Sequence, residues 1–320
     1  MRIGTLLSTV VFAIGVTSGI ASAQDYPSKP INYIIPFNAG GESDVAARFQ
    51  QPFLEEVTGQ SIVVQYISGA GGAQAWSQLN GMEGDGYTMM GSNLPHIILQ
   101  PMAQDVGYTT DDITNVYFFQ YTPDALLVPA GSDFQTLEDF VAYAKENPGS
   151  VTISGSATNS ANHVATTKLN ELADIQTTYI PFSGTSPSMT ALLGGQVQGS
   201  FSYSTAALNQ GEEIRVLAVA AEERLPSLPD TPTFKELGYD MVGGAYRGIA
   251  VPSSTPEEIR TQLSDLIGEV NANPEFVKKM EDAGFVVISI PYSEMPAFME
   301  EREQQYQSVA ETMGIETSSN

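Results

Sequence analysis

The chain has 320 residues, no cysteine, two histidines and a formal net charge of −24. Without cysteine it has no disulfide framework, thiol nucleophile or thiolate metal site. So large an acidic excess opposes nucleic acid, whose affinity comes largely from Lys and Arg on phosphates, and anionic membrane surfaces; an acidic chain of this kind is expected to suit a saline medium.

The first residues read as an export leader. Arg2 gives a short positive start, Leu6 to Gly19 is apolar with small residues, and Ala21-Ser22-Ala23 fits a small-residue cleavage pattern. Residues 1–23 are therefore expected to be removed, leaving a periplasmic chain that begins at Gln24. The apolar stretch is short for a bilayer of ~30 Å, and no later segment is apolar enough to span one. The remaining length suffices for two cores of ordinary size.

Ile31-Asn32-Tyr33-Ile34-Ile35 reads as a β-strand. It leads through Pro36-Phe37-Asn38-Ala39-Gly40-Gly41-Glu42-Ser43-Asp44 into a helical pattern of Val45, Ala46, Phe49 and Phe53. Glycine lets backbone approach a ligand closely. A helix start presents unpaired N–H groups with partial positive charge behind them, which suits a carboxylate or other small anion. The arrangement recurs. A strand at Ile62 to Tyr66 leads to Ser68-Gly69-Ala70-Gly71-Gly72, and one at Tyr87 to Met90 leads to Ser92-Asn93. Leu126 to Val128 reads as a strand and Leu137 to Lys145 as a helix; a strand at Val151 to Ser154 precedes a Gly155 to Ser160 loop and a helix through Leu172. Thr177 to Ile180 precedes Pro181-Phe182-Ser183-Gly184-Thr185-Ser186-Pro187 and a helix ending at Gly194-Gly195, with further strands at Phe201 and at Val216 to Ala220. Strands alternating with helices in this way indicate α/β units with mainly parallel sheets. The last third is more helical: Ile259, Leu263, Leu266, Ile267 and Val270 form one stripe, and a second helix is expected from Ser293 to about Met313. No long polar linker interrupts the chain, so its domains are expected to share more than one crossover.

The chain offers little with which to transform a ligand. It has no Gly-x-Ser-x-Gly elbow, His-Glu-x-x-His or Walker loop, and neither His96 nor His163 stands beside a nucleophile in sequence. His163 is expected to pack rather than react. What remains are hydrogen-bonding clusters at strand-to-helix junctions: Ser154, Ser156, Thr158, Asn159 and Ser160, then Ser183, Thr185 and Ser186. Each alone reads equally well as an N-cap. As a set they favour a ligand, because open α/β sheets bind at the carboxyl ends of their strands. Arg247, within Gly243-Gly244-Ala245-Tyr246-Arg247-Gly248, has a fork suited to a carboxylate; a salt bridge to one of the many acids is the competing assignment. Tyr203, Tyr246 and Phe182 hint at an aromatic wall.

These segments, in this order, resemble the Bug-type solute receptors of tripartite tricarboxylate transporters. The resemblance starts at Tyr26-Pro27-Ser28-Lys29-Pro30-Ile31 and continues through the Pro36 loop, Gly69-Ala70-Gly71-Gly72 and Gly84-Asp85-Gly86-Tyr87-Thr88. It goes on with Ala144-Lys145-Glu146-Asn147-Pro148-Gly149, Leu192-Leu193-Gly194-Gly195-Gln196-Val197 and Leu228-Pro229-Asp230-Thr231-Pro232-Thr233. It implies an α/β, two-lobe periplasmic-binding-protein fold of type II-like arrangement with a cleft between lobes. Residues 24–126 and 247–320 would form the first lobe and 127–246 the second. It also implies that backbone groups of Phe37, Asn38, Ala39, Gly40 and Gly41, with ordered water, hold a carboxylate. Ala70, Gly71 and Asn93 are further candidates for the ligand site. Ser154, Ser156, Thr158, Asn159, Ser160, Phe182, Gly184 and Thr185 would face the Pro36 loop; apart from the resemblance, Tyr203 is a further candidate and Arg247 a candidate partner for a second carboxylate. Asn38 and Glu42 depart from a loop that usually carries a second Pro and a third Gly, and Glu42 places negative charge beside an anion site. Gln198 and Tyr246 stand where the family often has Asp and Trp.

The expected activity is capture of a small mono- or dicarboxylate by a monomer, without catalysis, cofactor or metal, and its delivery to membrane components of the transporter. Two alternatives use the same scaffold: a sensory receptor that presents its ligand to a signalling protein, and an exported hydrolase or isomerase.

Overall fold

A computed structural model describes residues 26–315. The expected leader, residues 1–23, lies outside the described residues. The chain opens with β1 (Ile31–Ile35), α1 (Glu42–Thr58), β2 (Ile62–Tyr66), α2 (Ala73–Leu79), β3 (Thr88–Leu94) and α3 (His96–Ala103). β1 runs parallel to both β2 and β3, as apolar strands separated by helical crossovers should. β4 (Thr114–Pro129) then carries the chain onward, and nearly all of its residues are buried.

A second α/β series follows: α4 (Leu137–Glu146), β5 (Thr152–Gly155), α5 (Ala161–Ala173), β6 (Thr178–Pro181), α6 (Thr185–Leu193), β7 (Gly199–Tyr203), α7 (Ser204–Gln210) and β8 (Ile214–Val219). β5 is parallel to β6 and β7. β9 (Gly244–Val251) returns antiparallel to β3 and β4. The chain closes with α8 (Glu257–Ala272), α9 (Pro274–Asp282), β10 (Val286–Pro291) and α10 (Met295–Thr312). No helix among the described residues is long and apolar enough to cross a membrane.

β4 is the structural spine. Its first half pairs with β9 and β10, its second half with β7 and β8. Cores lie on both sides of this junction. One gathers Tyr33, Trp76, Phe118, Ile249, Ile267 and Phe276. The other side holds two clusters, around Phe140, Phe201 and Phe234 and around Leu127, Leu192 and Val219, which cover opposite faces of its sheet. The result is two α/β lobes joined by β4 and by the chain entering β9. At that second crossing Gly244 lies so close to β4 that a Cβ there would collide with the Thr122 carbonyl oxygen.

Several elements differ from sequence expectation. The strand expected at Leu126 to Val128 is the end of the sixteen-residue β4. α3, α9 and β10 lie outside the expected set of elements. α3 is buried all round its first turn, from His96 through Gln100, so it lacks the one-sided stripe that marks a surface helix.

Candidate functional site

The first loop folds upon itself. Phe37 is buried edge-on against Trp76 and His96, with ring centroids 6.0 and 5.6 Å apart. Gly41 begins α1 without a side-chain cap. Asp44 supplies an internal anchor instead: it accepts the Gly40 N–H at 2.8 Å and the Tyr66 hydroxyl at 2.7 Å, and Arg48 Nε approaches it at 3.3 Å. The Gly41 N–H donates to the Asn38 carbonyl at 3.4 Å. Two N–H groups of the expected carboxylate trap are thus engaged within the loop.

Behind the loop, β9 places Arg247 opposite Asn93 of β3. Arg247 Nη2 donates to Glu42 Oε2 at 2.6 Å and its Nε to Ser43 Oγ at 3.2 Å, where Asn93 Nδ2 also donates at 3.2 Å. The Tyr203 ring lies 4.8 Å from the guanidinium, a cation–π distance. The competing assignment for Arg247 therefore holds, since its fork is committed to Glu42 and Ser43; only Nη1 lacks a hydrogen-bond partner among the described residues. Burial pushes the Glu42 carboxyl up, opposed by Arg247 and by the Thr122 hydroxyl. A guanidinium stays charged in proteins, and at 2.6 Å it keeps the two as an ion pair.

Two further buried groups complete the electrostatics. Burial lowers His96 to about 3, with Arg247 adding to the effect; the ring is neutral at ordinary pH, and neither nitrogen has a hydrogen-bond partner among the described residues. Burial raises Asp124 to about 8, against a 2.8 Å hydrogen bond from Asn162 Nδ2 and with Glu42 adding to the rise.

The second lobe closes on this surface. Asn38 Nδ2 donates to Ser183 Oγ across the cleft at 3.1 Å. The space bounded by Phe37, Asn38, Gly41, Asn93, Ser156, Gly184, Thr185, Tyr203 and Arg247 is about 10 Å³, close to the room one water needs. The lobes therefore meet at this point. Beyond the Asn38–Ser183 bridge a larger cavity of about 540 Å³ lies between Ala70 and Gly71 on one lobe and Thr158, Asn159 and Phe182 on the other.

The expected residues thus divide. Nine of them surround the small space and five the larger one. Gly40 borders a separate cavity beside Thr185, and Ala39 is exposed. Ser154 is buried and accepts Ser188 Oγ at 2.9 Å. Ser160 caps α5 by accepting the His163 N–H at 3.2 Å. These two do structural work. Tyr246 lies apart, against Tyr121, Phe298 and Arg302. His163 stacks on Tyr179 with centroids 4.4 Å apart, in keeping with a packing role. Ser186, named with Ser183 and Thr185 as a hydrogen-bonding cluster, also lines the small space, as do Glu42, Ser43 and His96, which stand outside the expected ligand-binding residues. For His96 the available signal was its place just after the Ser92-Asn93 strand end.

Residues 46–315 match the family described as tripartite tricarboxylate transporter family receptor. BugT of Bordetella pertussis is 28% identical over 319 residues, covering 97% of this chain and 98% of that protein. Among solved structures, an R. palustris protein with adipate is 27% identical with a TM-score of 0.86, covering 91% of this chain and 99% of that one. MatC from Rhodopseudomonas palustris with bound malate is 25% identical with a TM-score of 0.81, covering 89% and 99%. With its two α/β lobes closed over a polar cleft, this chain belongs to the tripartite tricarboxylate transporter receptor family.

Proposed function

We propose that the protein is an exported solute-binding receptor that captures a small organic carboxylate between its lobes and delivers it to the membrane components of a transporter. The observation that carries this reading is the convergence of the Phe37–Gly41 loop, Ser156 of the β5–α5 loop and the Gly184–Thr185 start of α6 on one buried polar space. Dipolar groups from two lobes can grip an anion that neither lobe holds alone. The adipate- and malate-bound relatives support the choice of ligand class. In this reading the first lobe comprises residues 24–126 and 247–320, the second 127–246, and the lobes rock about the two crossovers. A ligand that touches both lobes only when they are shut shifts the population toward a form the membrane partner recognises.

Binding is expected without turnover. Thermal shift against a panel of small mono- and dicarboxylates, followed by calorimetry on the hits, tests the reading. Stabilisation by one or more acids, recovered chemically unchanged, is the expected result. Stabilisation by no acid would refute it, and conversion of a bound acid would select the hydrolase or isomerase alternative.

A further inference from the structure

We propose that Glu42 makes this receptor selective for singly charged acids: it occupies Arg247 and so denies a second ligand carboxylate its cationic partner. The inference rests on the carboxylate-receptor reading and narrows its ligand class to monocarboxylates with a neutral polar group at the far end.

Among the described residues lining the small space and the adjoining larger cavity, Arg247 is the only cation. Its charge is cancelled at 2.6 Å by Glu42, and the two side chains are 6% and 2% exposed. Both belong to the same lobe, on β9 and at the start of α1, so lobe opening need not break the pair. The other charged groups near the pair among the described residues supply no free cation to the cleft: Arg48 lies on Asp44. Asp124 is buried on Asn162, and any ionisation there adds negative charge. Asp44 already receives the Gly40 N–H. His96 is buried and uncharged.

One ligand carboxylate can be held by peptide dipoles at the helix starts. A second would enter a site whose ion pair sums to zero, in surroundings where like-charge repulsion is little screened. Burying a charge without a partner is costly. The unpartnered groups suit something neutral. Arg247 Nη1 is a donor, and a neutral imidazole has one donor and one acceptor. A hydroxyl or carboxamide group, which both donates and accepts, satisfies them without bringing charge.

The test compares matched ligands that differ in one charge: adipate with its monoamide, malate with its monoamides and succinate with succinamate, by calorimetry near neutral pH. The wild-type protein is expected to bind the singly charged member of a pair about tenfold or more tightly. Glu42→Gln is expected to reverse or erase that preference, because Arg247 is then free. Should Glu42→Gln fail to fold with Arg247 left unpaired, the double variant Glu42→Gln/Arg247→Gln serves. It removes the pair's charges together and leaves no cation, so the preference for the singly charged member is expected to persist; loss of that preference in the folded double variant would overturn the proposal. A wild-type protein that binds the diacid as tightly as its monoamide overturns the proposal, as does an unchanged ratio in folded Glu42→Gln. Failure of every acid to bind would instead fell the receptor reading itself.

Discussion

Asp124 shows how a single buried group can make its presence measurable. It sits on β4 where the chain passes from one lobe to the other. Its amide donates to the Gly243 carbonyl at 2.9 Å and its own carbonyl accepts the Ala220 N–H at 2.8 Å. Its carboxyl is raised to about 8, by burial first and also by Glu42, against the Asn162 hydrogen bond and Arg247. The folded protein thus holds a proton there that the unfolded chain has released above the ordinary carboxylate range. Between about pH 4 and pH 8 this one group lowers stability as pH rises, by at most about 1.4 kcal/mol per pH unit, and above the folded value its effect is constant. Asp124→Asn keeps the shape and removes the proton exchange. Denaturant unfolding of both proteins at several pH values is expected to show the variant gaining on wild type from about pH 5 to about pH 8. A constant difference across that range would mean that Asp124 is ionised in the fold. The Glu42–Arg247 pair is different in kind. It joins residues 205 positions apart, and nothing in the sequence marks which of many acids meets which arginine.

At the scale of elements, two features have testable cost. The loop before α1 is shaped by Asp44, which joins the Gly40 amide, Tyr66 and Arg48. Asp44→Ala is expected to cost about 1–3 kcal/mol in chemical denaturation. It should also weaken ligand binding, because the loop loses its fixed form; unchanged affinity would show that ligand orders the loop by itself. Gly244 stands where β9 presses against β4, and a Cβ there would also lie 2.9 Å from Pro123 Cα. Neither strand can yield without opening the crossover, so Gly244→Ala is expected to lower stability by about 1–3 kcal/mol, read as a shifted denaturation midpoint. The same elements explain what is legible in the sequence. Strand-to-helix junctions are visible because Gly, Ser, Thr and Asn gather there for capping and close approach, and those junctions supply most of the cleft lining. β4 reads as shorter than it is because Pro123 and Asp124 interrupt its apolar run at the point where it changes lobes. β10 has a mixed burial pattern, so its alternation is weak. Of the cleft residues, the backbone-presenting loops are readable. Glu42, Ser43 and His96 are not, since their roles arise from tertiary pairing. Ser154 and Ser160 carry the same chemical signature as ligand-facing residues but spend it inside the protein.

For the whole molecule, net charge and lobe closure set the behaviour. A formal charge of −24 repels itself when the chain is compact, and salt screens that repulsion, the Debye length shrinking from about 30 Å at 0.01 M to about 3 Å at 1 M. The melting temperature is therefore expected to rise with added NaCl; a flat response would show that folding does not bring the acids close enough to matter. Closure is the more specific property. The small space beside Arg247 holds about 10 Å³, too little for an acid of several carbon atoms, so a ligand can occupy that space only when the lobes part, whereas the adjoining cavity of about 540 Å³ has room. Asn38 and Ser183 make a direct bond between them, and Tyr203 of the second lobe covers Arg247 of the first. Such contacts favour closure without ligand, yet one neutral hydrogen bond contributes only about 1 kcal/mol. In Asn38→Ala the open population should grow. Small-angle scattering is then expected to show a larger radius of gyration in the ligand-free variant than in ligand-free wild type, with both contracting to the same value when a tight acid saturates them. Because closure is coupled to binding, the variant's Kd should rise by a few-fold, matching the lost bond. Equal radii before ligand would mean that Asn38 and Ser183 do not bias the hinge, and contraction in neither protein would show that binding proceeds without lobe motion.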